Sequence, residues 1–474
     1  MIRMQRTGIK EKAQHADMAW GDSYNILWKV INKKKLHNGA EIGVAYGGHA
    51  EHILSKTNTT LYCVDPYLHF NEYDDPMNVS NEEFNKLFVF TKSRLKKFGS
   101  RVKMVRKDSV VALKYVPEKL DFVYIDADHS YEGVSRDIGN WFGKIREGGI
   151  VSGHDYGHVN FPGVKKAVDE FFGRFGWEIH SHKSGVWWVE KKPIHVSYIM
   201  PAYNCASTIA ESVASIYNGN FEKGDELIVV DDKSADKTIS VINILKKKYP
   251  SIHLIKHLYN KGGGAARNTA IEHANNPLIF CLDSDNILEK NSVVRLKKLL
   301  VSSKNNEVVS FQKLKYFVEN IHTIDHEWEF VHEVYSRENY LTTNIVPSAS
   351  GNYLFTKHVW EKVGGYPGYA GALDTWGFGL RQVLHGYTTT VLPNSSYYHR
   401  IGHDSYWVRE VKKISPSTQA LRILLEFRDQ IDQKTQDYIL SKKYRDCWFD
   451  KLGKHSIMLG SVKDRHFSLT NLFK

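Results

Sequence analysis

The feature that most constrains the fold of this chain is a local pattern that occurs twice. Each copy has an apolar strand running into a turn, an acid at the end of the next strand, and a carboxylate-rich loop. The first copy is Glu41-Ile-Gly-Val-Ala-Tyr-Gly47, Asp65 and Asp126-Ala-Asp128, and the second is Pro201-Ala-Tyr-Asn204, Asp231-Asp232 and Asp283-Ser-Asp285. Because open α/β sheets bind ligands at the carboxyl ends of their strands, each copy is typical of a nucleotide-binding unit. The duplication predicts two linked reactions.

Length and composition agree with two soluble domains. A chain of 474 residues is too long for one compact core, and its 42% hydrophobic and 25% charged residues are ordinary for a globular protein. No apolar run approaches the roughly 20 residues that span a bilayer, and the start of the chain lacks the apolar core of a secretory signal. The widely spaced cysteines predict a reduced, cytoplasmic compartment and no cysteine zinc site.

The net charge of +11 predicts anionic partners. Phosphorylated donors, acidic glycans, an anionic membrane face and nucleic acid would all be attracted. The basic runs at 33–35 and 246–248 are expected on solvated helix faces, and no nucleic-acid motif accompanies them. We therefore expect no nucleic-acid partner, whereas peripheral contact with the inner membrane face stays open.

The pattern of apolar residues predicts four regions. Residues 1–37 form a helical cap, and strands alternate with amphipathic helices over 38–190 and again over 195–407. The charged, proline-marked segment Glu190-Lys-Lys-Pro193 separates the two series, and residues 408–474 form a helical extension. Residues 66–99 interrupt the first series as a polar and aromatic insertion, and clear strands become fewer after about residue 291. The fold class is α/β, with mostly parallel sheets covered on both faces.

Residues 38–190 resemble the class I S-adenosylmethionine-dependent methyltransferases, and within them the metal-dependent O-methyltransferases. The resemblance rests on the glycine turn, in which Ala45 replaces the middle glycine of the commoner pattern, and on acids at the ends of the following strands. It implies a Rossmann-like fold that uses S-adenosylmethionine as methyl donor. The implied cofactor contacts are Glu41, Gly43, Gly47, Asp65, Asp108 and Asp126.

In the resembled methyltransferases, carboxylates at two neighbouring strand ends hold one divalent cation. Asp126 and Asp155 correspond here, with Tyr156 in place of the usual asparagine. Oxygen donors of this kind suit Mg²⁺ or Mn²⁺, which would acidify the acceptor hydroxyl. His129 or His154 could take the proton, and a structural role for either histidine is the alternative.

Residues 195–407 resemble glycosyltransferase family 2, whose members have the GT-A fold. The resemblance rests on the first strand and turn, on Asp231-Asp232-x-Ser234, on Asn260-Lys-Gly-Gly-Gly-Ala-Ala-Arg267 and on the acids of Asp283-Ser-Asp285. Residues i and i+2 at a strand end point to the same side, so one acid can meet the ribose and the other a metal. The implied contacts with the nucleotide-sugar are Pro201, Tyr203, Asp232, Asn260, Gly263, Arg267 and Asp283.

The same resemblance assigns the remaining roles in glycosyl transfer. Asp285 would hold Mn²⁺ or Mg²⁺, with His399 as a further ligand. His403 is the alternative to His399. Asp374 would be the general base, although Leu373 stands where relatives have glutamate. The implied reaction is inverting transfer from a nucleotide-diphospho-sugar to a glycan or glycoconjugate acceptor.

Together the two halves predict a bifunctional enzyme of glycan assembly that transfers a sugar and O-methylates a sugar hydroxyl. Two alternatives stay open. The first domain could be a non-catalytic binding module beside an active glycosyltransferase, or it could methylate an unrelated small molecule. The sequence predicts neither the donor sugar nor the oligomeric state.

Overall fold

A computed structural model describes residues 8–71, 77–302, 307–342, 346–402 and 416–430, with five single positions between 410 and 437. Among these described residues, those up to Pro193 form one compact unit, and almost all of those from Ile194 onward form a second. Most of the predicted extension 408–474 lies outside the described residues. In the described part of the chain, no helix is long and apolar enough to cross a membrane.

The first unit alternates strands with helices. Its helices are α1 Ile9–Lys34, α2 Gly48–Lys56, α3 Asn81–Leu95, α4 Ser109–Ala112, α5 Tyr131–Phe142 and α6 Pro162–Gly173. Its strands are β1 Asn38–Ile42, β2 Thr60–Val64, β3 Val102–Val105, β4 Leu120–Ile125, β5 Ile145–Gly153, β6 His180–Ser181 and β7 Trp187–Glu190. The insertion predicted at 66–99 contains α3, which begins where the Ser80 hydroxyl accepts from the Glu83 amide.

Among the described residues, seven strands form the sheet of this unit in the order β3-β2-β1-β4-β5-β7-β6. Strands β1 to β5 are parallel, and β7 runs antiparallel to β5. Every residue of β4 is buried, as expected for a central strand covered on both faces. The strand order reverses between β1 and β4, so a crevice opens at their carboxyl ends. The predicted α/β fold is confirmed.

The second unit continues the alternation and then changes character. Its helices are α7 Ile209–Tyr217, α8 Thr238–Lys248, α9 Gly263–Glu272, α10 Ser292–Ser302, α11 Arg337–Thr342, α12 Lys357–Val363, α13 Asp374–Leu384 and α14 Pro416–Glu426. Its first strands are β8 Val196–Ala202, β9 Glu226–Asp231, β10 Ile252–Lys256, β11 Leu278–Cys281 and β12 Ile287–Leu288. Its later strands are β13 Val308–Phe317, β14 Ile324–Glu329, β15 Val334–Tyr335, β16 Leu354–Thr356 and β17 Thr389–Arg400.

The sheet of the second unit is mixed. Strands β10, β9, β8 and β11 are parallel, and the order continues through β16, β13 and β17 to β12. The long strands β13 and β17 pair in parallel, in the region after residue 291 where the sequence pattern showed fewer clear strands. Lys313 and Lys315 on β13 are only partly buried, so the strand lacks the continuous apolar run that marks a central strand.

Helix α14 packs on the start of α13. The Leu373 amide donates to the Gln419 side chain, and Arg381 pairs with both oxygens of Glu426. A Cβ added to Gly377 would lie 3.0 Å from Ile423, so the two helices approach closely. This described part of the predicted extension therefore belongs to the second unit.

Candidate active sites

The turn between β1 and α2 is closely packed against the end of β4. Gly43 has φ +86°, and a Cβ added there would lie 2.1 Å from the Asp126 carbonyl oxygen. Gly47, with φ +71°, precedes α2, while Ala45 has φ +45°. Since only glycine adopts such conformations without strain, the two glycines allow the backbone to approach a ligand. Both predicted glycines therefore lie in the crevice at β1.

Asp65, the acid that follows β2, binds the glycine turn itself. One carboxylate oxygen accepts from the amides of Val44 and Ala45, both at 3.0 Å, and the other accepts from the Tyr67 amide at 2.8 Å. Burial raises the pKa of Asp65, although these donors act in the opposite direction. Asp65 thus shapes the turn, a role that sequence reasoning missed because it depends on the two strands meeting.

Glu41 lies within β1 and is 2% exposed. Its Oε2 is 3.4 Å from Nδ1 of His49 on α2, and burial raises the pKa of the carboxyl despite this neighbour. The His49 ring lies 4.0 Å from that of Tyr124 on β4. Asp108, the other predicted cofactor contact, caps α4 by accepting from the Val110 amide at 2.9 Å. Sequence analysis gave no signal for His49.

A cluster of acids and histidines occupies the ends of β4 and β5. Asp126 directly follows β4, and His154 and Asp155 directly follow β5. One ligand atom from each of these three residues lies within 4.8 Å of the others. Asp155 has φ +58°, a left-handed conformation that costs energy for an acidic residue and turns it into the cluster. Adjacent parallel strands explain why residues almost 30 positions apart meet here.

His129 bridges the two carboxylates of this cluster. Its Nε2 lies 3.1 Å from Asp155 and 3.4 Å from Asp126, and its ring stacks on Phe161. Burial lowers the pKa of His129, but the two carboxylates outweigh burial and raise it to about 10. The Asp155 carboxyl also accepts from His154 Nδ1 at 3.2 Å, and the two histidines hold its pKa below the usual range.

Tyr156 does not join the cluster. Its hydroxyl donates to Asp169 on α6 at 2.6 Å, and the Lys165 ammonium lies over its ring. His154 is therefore the third potential ligand, a role that the sequence analysis did not give it. Two carboxylates and one imidazole are a donor set that divalent transition metals such as Mn²⁺ accept, so these residues fit the implied cation.

In the second unit, Asp232 holds the glycine-rich segment against the end of β9. Its oxygens accept from the amides of Lys261 and Gly262, both at 2.8 Å, and one lies 2.7 Å from His257 Nδ1. The Asn260 side chain donates to the Asp232 carbonyl. Gly263 then begins α9, whose amino end faces this edge of the sheet and favours an anion. Asn260 and Gly263, the two residues of this loop predicted to contact the nucleotide-sugar, both lie at this edge.

Pro201 and Tyr203 lie at the end of β8, next to the same edge. Asn204 has φ +50°, its amide donates to Ser234, and its side chain accepts from the Ala235 amide. These bonds join the turn after β8 to the turn after β9. The predicted nucleotide contacts of the two turns are thus adjacent.

Arg267 on α9 connects two predicted acids. Its Nη2 donates to Asp283 at 2.6 Å, and its Nη1 donates to Asp374 at 2.8 Å. Arg267 is 6% exposed and Asp374 is 3% exposed, so their ion pair is largely withdrawn from water, whereas the Asp283 side chain is 23% exposed. Burial raises the pKa of Asp374, while the arginine opposes that rise. The arginine predicted to contact the diphosphate is therefore already paired with the predicted base.

Asn352 hydrogen-bonds to Asp283, one of the two acids that Arg267 connects. Its side-chain oxygen accepts from the Asp283 amide at 2.8 Å, and its nitrogen lies 3.2 Å from the Asp283 carboxylate. Sequence analysis gave this asparagine no role.

Asp285 lies between β11 and β12, His399 lies near the end of β17, and the two do not form an ion pair with each other. Burial and the neighbouring Asp283 raise the pKa of Asp285 to about 7. Burial lowers the pKa of His399 to about 4, and its Nδ1 lies 3.3 Å from the Asn286 amide nitrogen. The alternative ligand, His403, is outside the described residues.

Two family models match this chain in tandem. A methyltransferase domain matches residues 40–156, and glycosyl transferase family 2 matches residues 197–364. A poly(ribitol-phosphate) beta-glucosyltransferase of Bacillus spizizenii is 36% identical over 25% of this chain and 19% of that protein. A UDP-Glc:alpha-D-GlcNAc-diphosphoundecaprenol beta-1,3-glucosyltransferase of Escherichia coli is 36% identical over 27% of this chain and 48% of that protein.

The chain thus spans less than half the length of each of these two relatives. Among solved structures, S. aureus TarS 1-349 in complex with UDP-GlcNAc is 19% identical, with a TM-score of 0.42 over 54% of this chain and 73% of that one. The two family matches fall on the two compact units in chain order. The chain therefore joins an N-terminal methyltransferase domain to a C-terminal glycosyltransferase family 2 domain.

Proposed function

We propose that this protein is a bifunctional enzyme of glycan assembly. Its second domain transfers a sugar from a nucleotide-diphospho-sugar to a glycan acceptor, and its first domain O-methylates a sugar hydroxyl. The observation that carries the glycosyltransferase part is the meeting of Asp283 and Asp374 on one guanidinium at the carboxyl end of β11. A donor-binding acid and a basic carboxylate at one strand end suit group transfer at that place.

In the glycosyl transfer, Asp374 takes the proton from the acceptor hydroxyl. The hydroxyl oxygen forms its bond to the anomeric carbon on the face opposite the diphosphate, so the configuration inverts. Asp285 would hold Mn²⁺ or Mg²⁺, whose charge would offset that of the departing diphosphate. Asp232 and the amino end of α9 hold the loop beside the donor.

In the methyl transfer, S-adenosylmethionine would supply the methyl group, and the turn at Gly43 and Gly47 would contact this cofactor. Asp126, His154 and Asp155 would hold a divalent cation, which would acidify the acceptor hydroxyl. His129, which lies against both carboxylates, would interact with that hydroxyl. His154 thereby moves from candidate base to candidate ligand.

The glycan as common substrate is supported by the fusion itself and by the relatives. The two relatives described above are named as glucosyltransferases that act on polymer or lipid-linked acceptors. Covalent linkage keeps the second active site at a high effective concentration near the product of the first. The proposal is therefore that the methyl group is added to the same glycan that receives the sugar.

A second candidate function leaves only the glycosyltransferase active. It is favoured by Asp65, whose carboxylate is already bonded to three backbone amides, and by Tyr156, which is turned toward Asp169. In that case the first domain would bind or dock a partner without transferring a methyl group.

The test is a paired transfer assay on the full chain with Mn²⁺. Purified glycan acceptors are incubated with methyl-labelled S-adenosylmethionine and with UDP-glucose, UDP-N-acetylglucosamine or GDP-mannose. We expect Asp374→Asn to abolish sugar transfer and Asp126→Asn to abolish methyl transfer, each leaving the other reaction in place. Asp325→Asn, at an exposed position of β14, is the matched control. Absence of label from every glycosylated product would favour the second candidate.

A further inference from the structure

Arg267 is surrounded on three sides by protein atoms. Besides its bonds to Asp283 and Asp374, its Nε lies 3.3 Å from Sγ of Cys281, a buried residue of β11. A Cβ added to Gly264 would lie 3.1 Å from Asp374 Cβ, so the backbone of α9 passes directly beside the acid. The close approach of α9 gives the guanidinium one position between two acids from different segments.

This arrangement bears on whether Arg267 can also bind a nucleotide. To reach a diphosphate, its guanidinium would have to leave the buried carboxylate of Asp374 and the partly exposed carboxylate of Asp283. An unpaired buried carboxylate is strongly destabilising. Of the described side chains, Arg267 is the cation bonded to Asp374. The ion pairs therefore favour an arginine that stays with the protein when the donor binds.

We infer that Arg267 is a positioning residue that sets the orientation of Asp374 and ties it to the donor-binding acid Asp283. This inference rests on the proposed glycosyltransferase function. Arg267 donates to one oxygen of Asp374, Oδ2. Because the fork of a guanidinium fixes two carboxylates at once, the acceptor's base and the donor's site are held in one geometry. Arg267 also opposes the rise in the pKa of Asp374 on burial.

The test compares Arg267→Lys and Arg267→Gln in the full chain with Mn²⁺. Turnover of UDP-glucose gives kcat and KM, and calorimetry gives the Kd of UDP. We expect kcat to fall about 100-fold in Arg267→Gln, the loss typical of a disabled general base, and less in Arg267→Lys, which keeps the charge. The Kd of UDP should rise by about tenfold at most, because Asp283 keeps the Asn352 side chain as a hydrogen-bond partner. Cys281→Ala, which removes only the contact at Nε, should keep kcat.

Two results would overturn the inference. One is a loss of UDP affinity as large as the loss of kcat/KM, because Arg267 would then be a nucleotide ligand. The other is an unchanged kcat in a folded Arg267→Gln. If that variant does not fold, Arg267→Lys decides by the same criteria.

Failure of the proposed function gives a different result. The wild type would then bind UDP without transferring sugar from any donor. In that case crystal structures of the wild type and of Arg267→Lys decide the inference without turnover, since an unmoved Asp374 carboxylate would contradict a positioning role.

Discussion

Asp137 on α5 is a carboxyl that the fold buries completely. One oxygen accepts from the Ser109 hydroxyl at 2.6 Å, and no hydrogen-bond partner is described for the other. Burial raises the pKa of this carboxyl to about 6. The stability that it contributes is complete below about pH 4, where the unfolded acid is also protonated, and is lost as the pH rises through 6.

We therefore expect Asp137→Asn to raise the free energy of unfolding at pH 7.5 by about 1–2 kcal/mol. Because burial raises the pKa of Asp137 by about two, ionising it at pH 7.5 costs the folded state roughly 3 kcal/mol. The buried amide of the asparagine lacks some hydrogen-bond partners, which reduces the gain. The gain should disappear near pH 4. Denaturant unfolding at the two pH values measures it, with Ser109→Ala as the variant that removes the hydrogen bond. A gain independent of pH would show that ionisation of Asp137 is not its source.

A comparison of Gly43 with Gly157 distinguishes two costs of adding a side chain, backbone strain and steric clash. Both have positive φ, +86° and +81°, but a Cβ on Gly43 would lie 2.1 Å from a backbone oxygen and one on Gly157 would meet open space. We expect Gly157→Ala to cost about 1 kcal/mol and Gly43→Ala more than about 3 kcal/mol. Thermal unfolding of the first unit measures both. Equal losses would mean that backbone strain, and not the clash with Asp126, limits the turn.

Residues at strand ends were the predictable part of both sites. Asp126, Asp155 and Asp283 follow buried strands directly, so the local pattern places them at the ligand-binding edge of a sheet. Their partners were not predictable in the same way. Arg267 meets Asp374 across 107 positions of sequence, and no local pattern specifies a contact of that kind. The bonds of Asp65 to the glycine turn likewise depend on tertiary packing.

At the scale of elements, an ion pair between α13 and α14 adds to the packing that holds α14 on the second unit. Arg381 on α13 bonds both oxygens of Glu426 at 2.8 and 3.0 Å, and the Tyr369 hydroxyl also contacts Glu426. We expect Glu426→Ala to destabilise the second unit by roughly 1–2 kcal/mol, because Arg381 is mostly buried and loses its carboxylate partner. Thermal unfolding measures the loss.

The matched control for this prediction is an exposed pair in the same unit. Glu327 on β14 lies 3.0 Å from Lys313 on β13, and both side chains are at least one-third exposed. Glu327→Ala should change stability by less than about 0.5 kcal/mol. If the two variants lose equally, the ion pair does not hold α14 in place.

Sequence patterns predicted some strands of the two sheets and failed to predict others. The alternation of strands and helices predicted the parallel part of both sheets, because strands covered on both faces are short apolar runs. The pairing of β13 with β17 was missed. Strand β17 carries several partly or fully exposed positions among its buried ones, so its apolar pattern is interrupted.

At the scale of the whole molecule, two compact units in one chain should respond to different ligands. S-adenosylhomocysteine should raise the unfolding temperature of the first unit, and UDP with Mn²⁺ that of the second. Each ligand at 100 times its Kd stabilises the unit that binds it by about 2.7 kcal/mol. Asp283→Asn removes the donor-side acid and should abolish the UDP response while keeping the response to S-adenosylhomocysteine, which assigns the two transitions.

Differential scanning calorimetry of the full chain distinguishes the possible outcomes. Two independent responses agree with two working sites, each in its own unit. A response to UDP alone would mean that the turn at Gly43 and its bonds to Asp65 do not admit the methyl donor, and the first domain would act as a binding module. If one ligand shifted both transitions equally, the two units would unfold as one, and the division at Pro193 would not be a thermodynamic boundary.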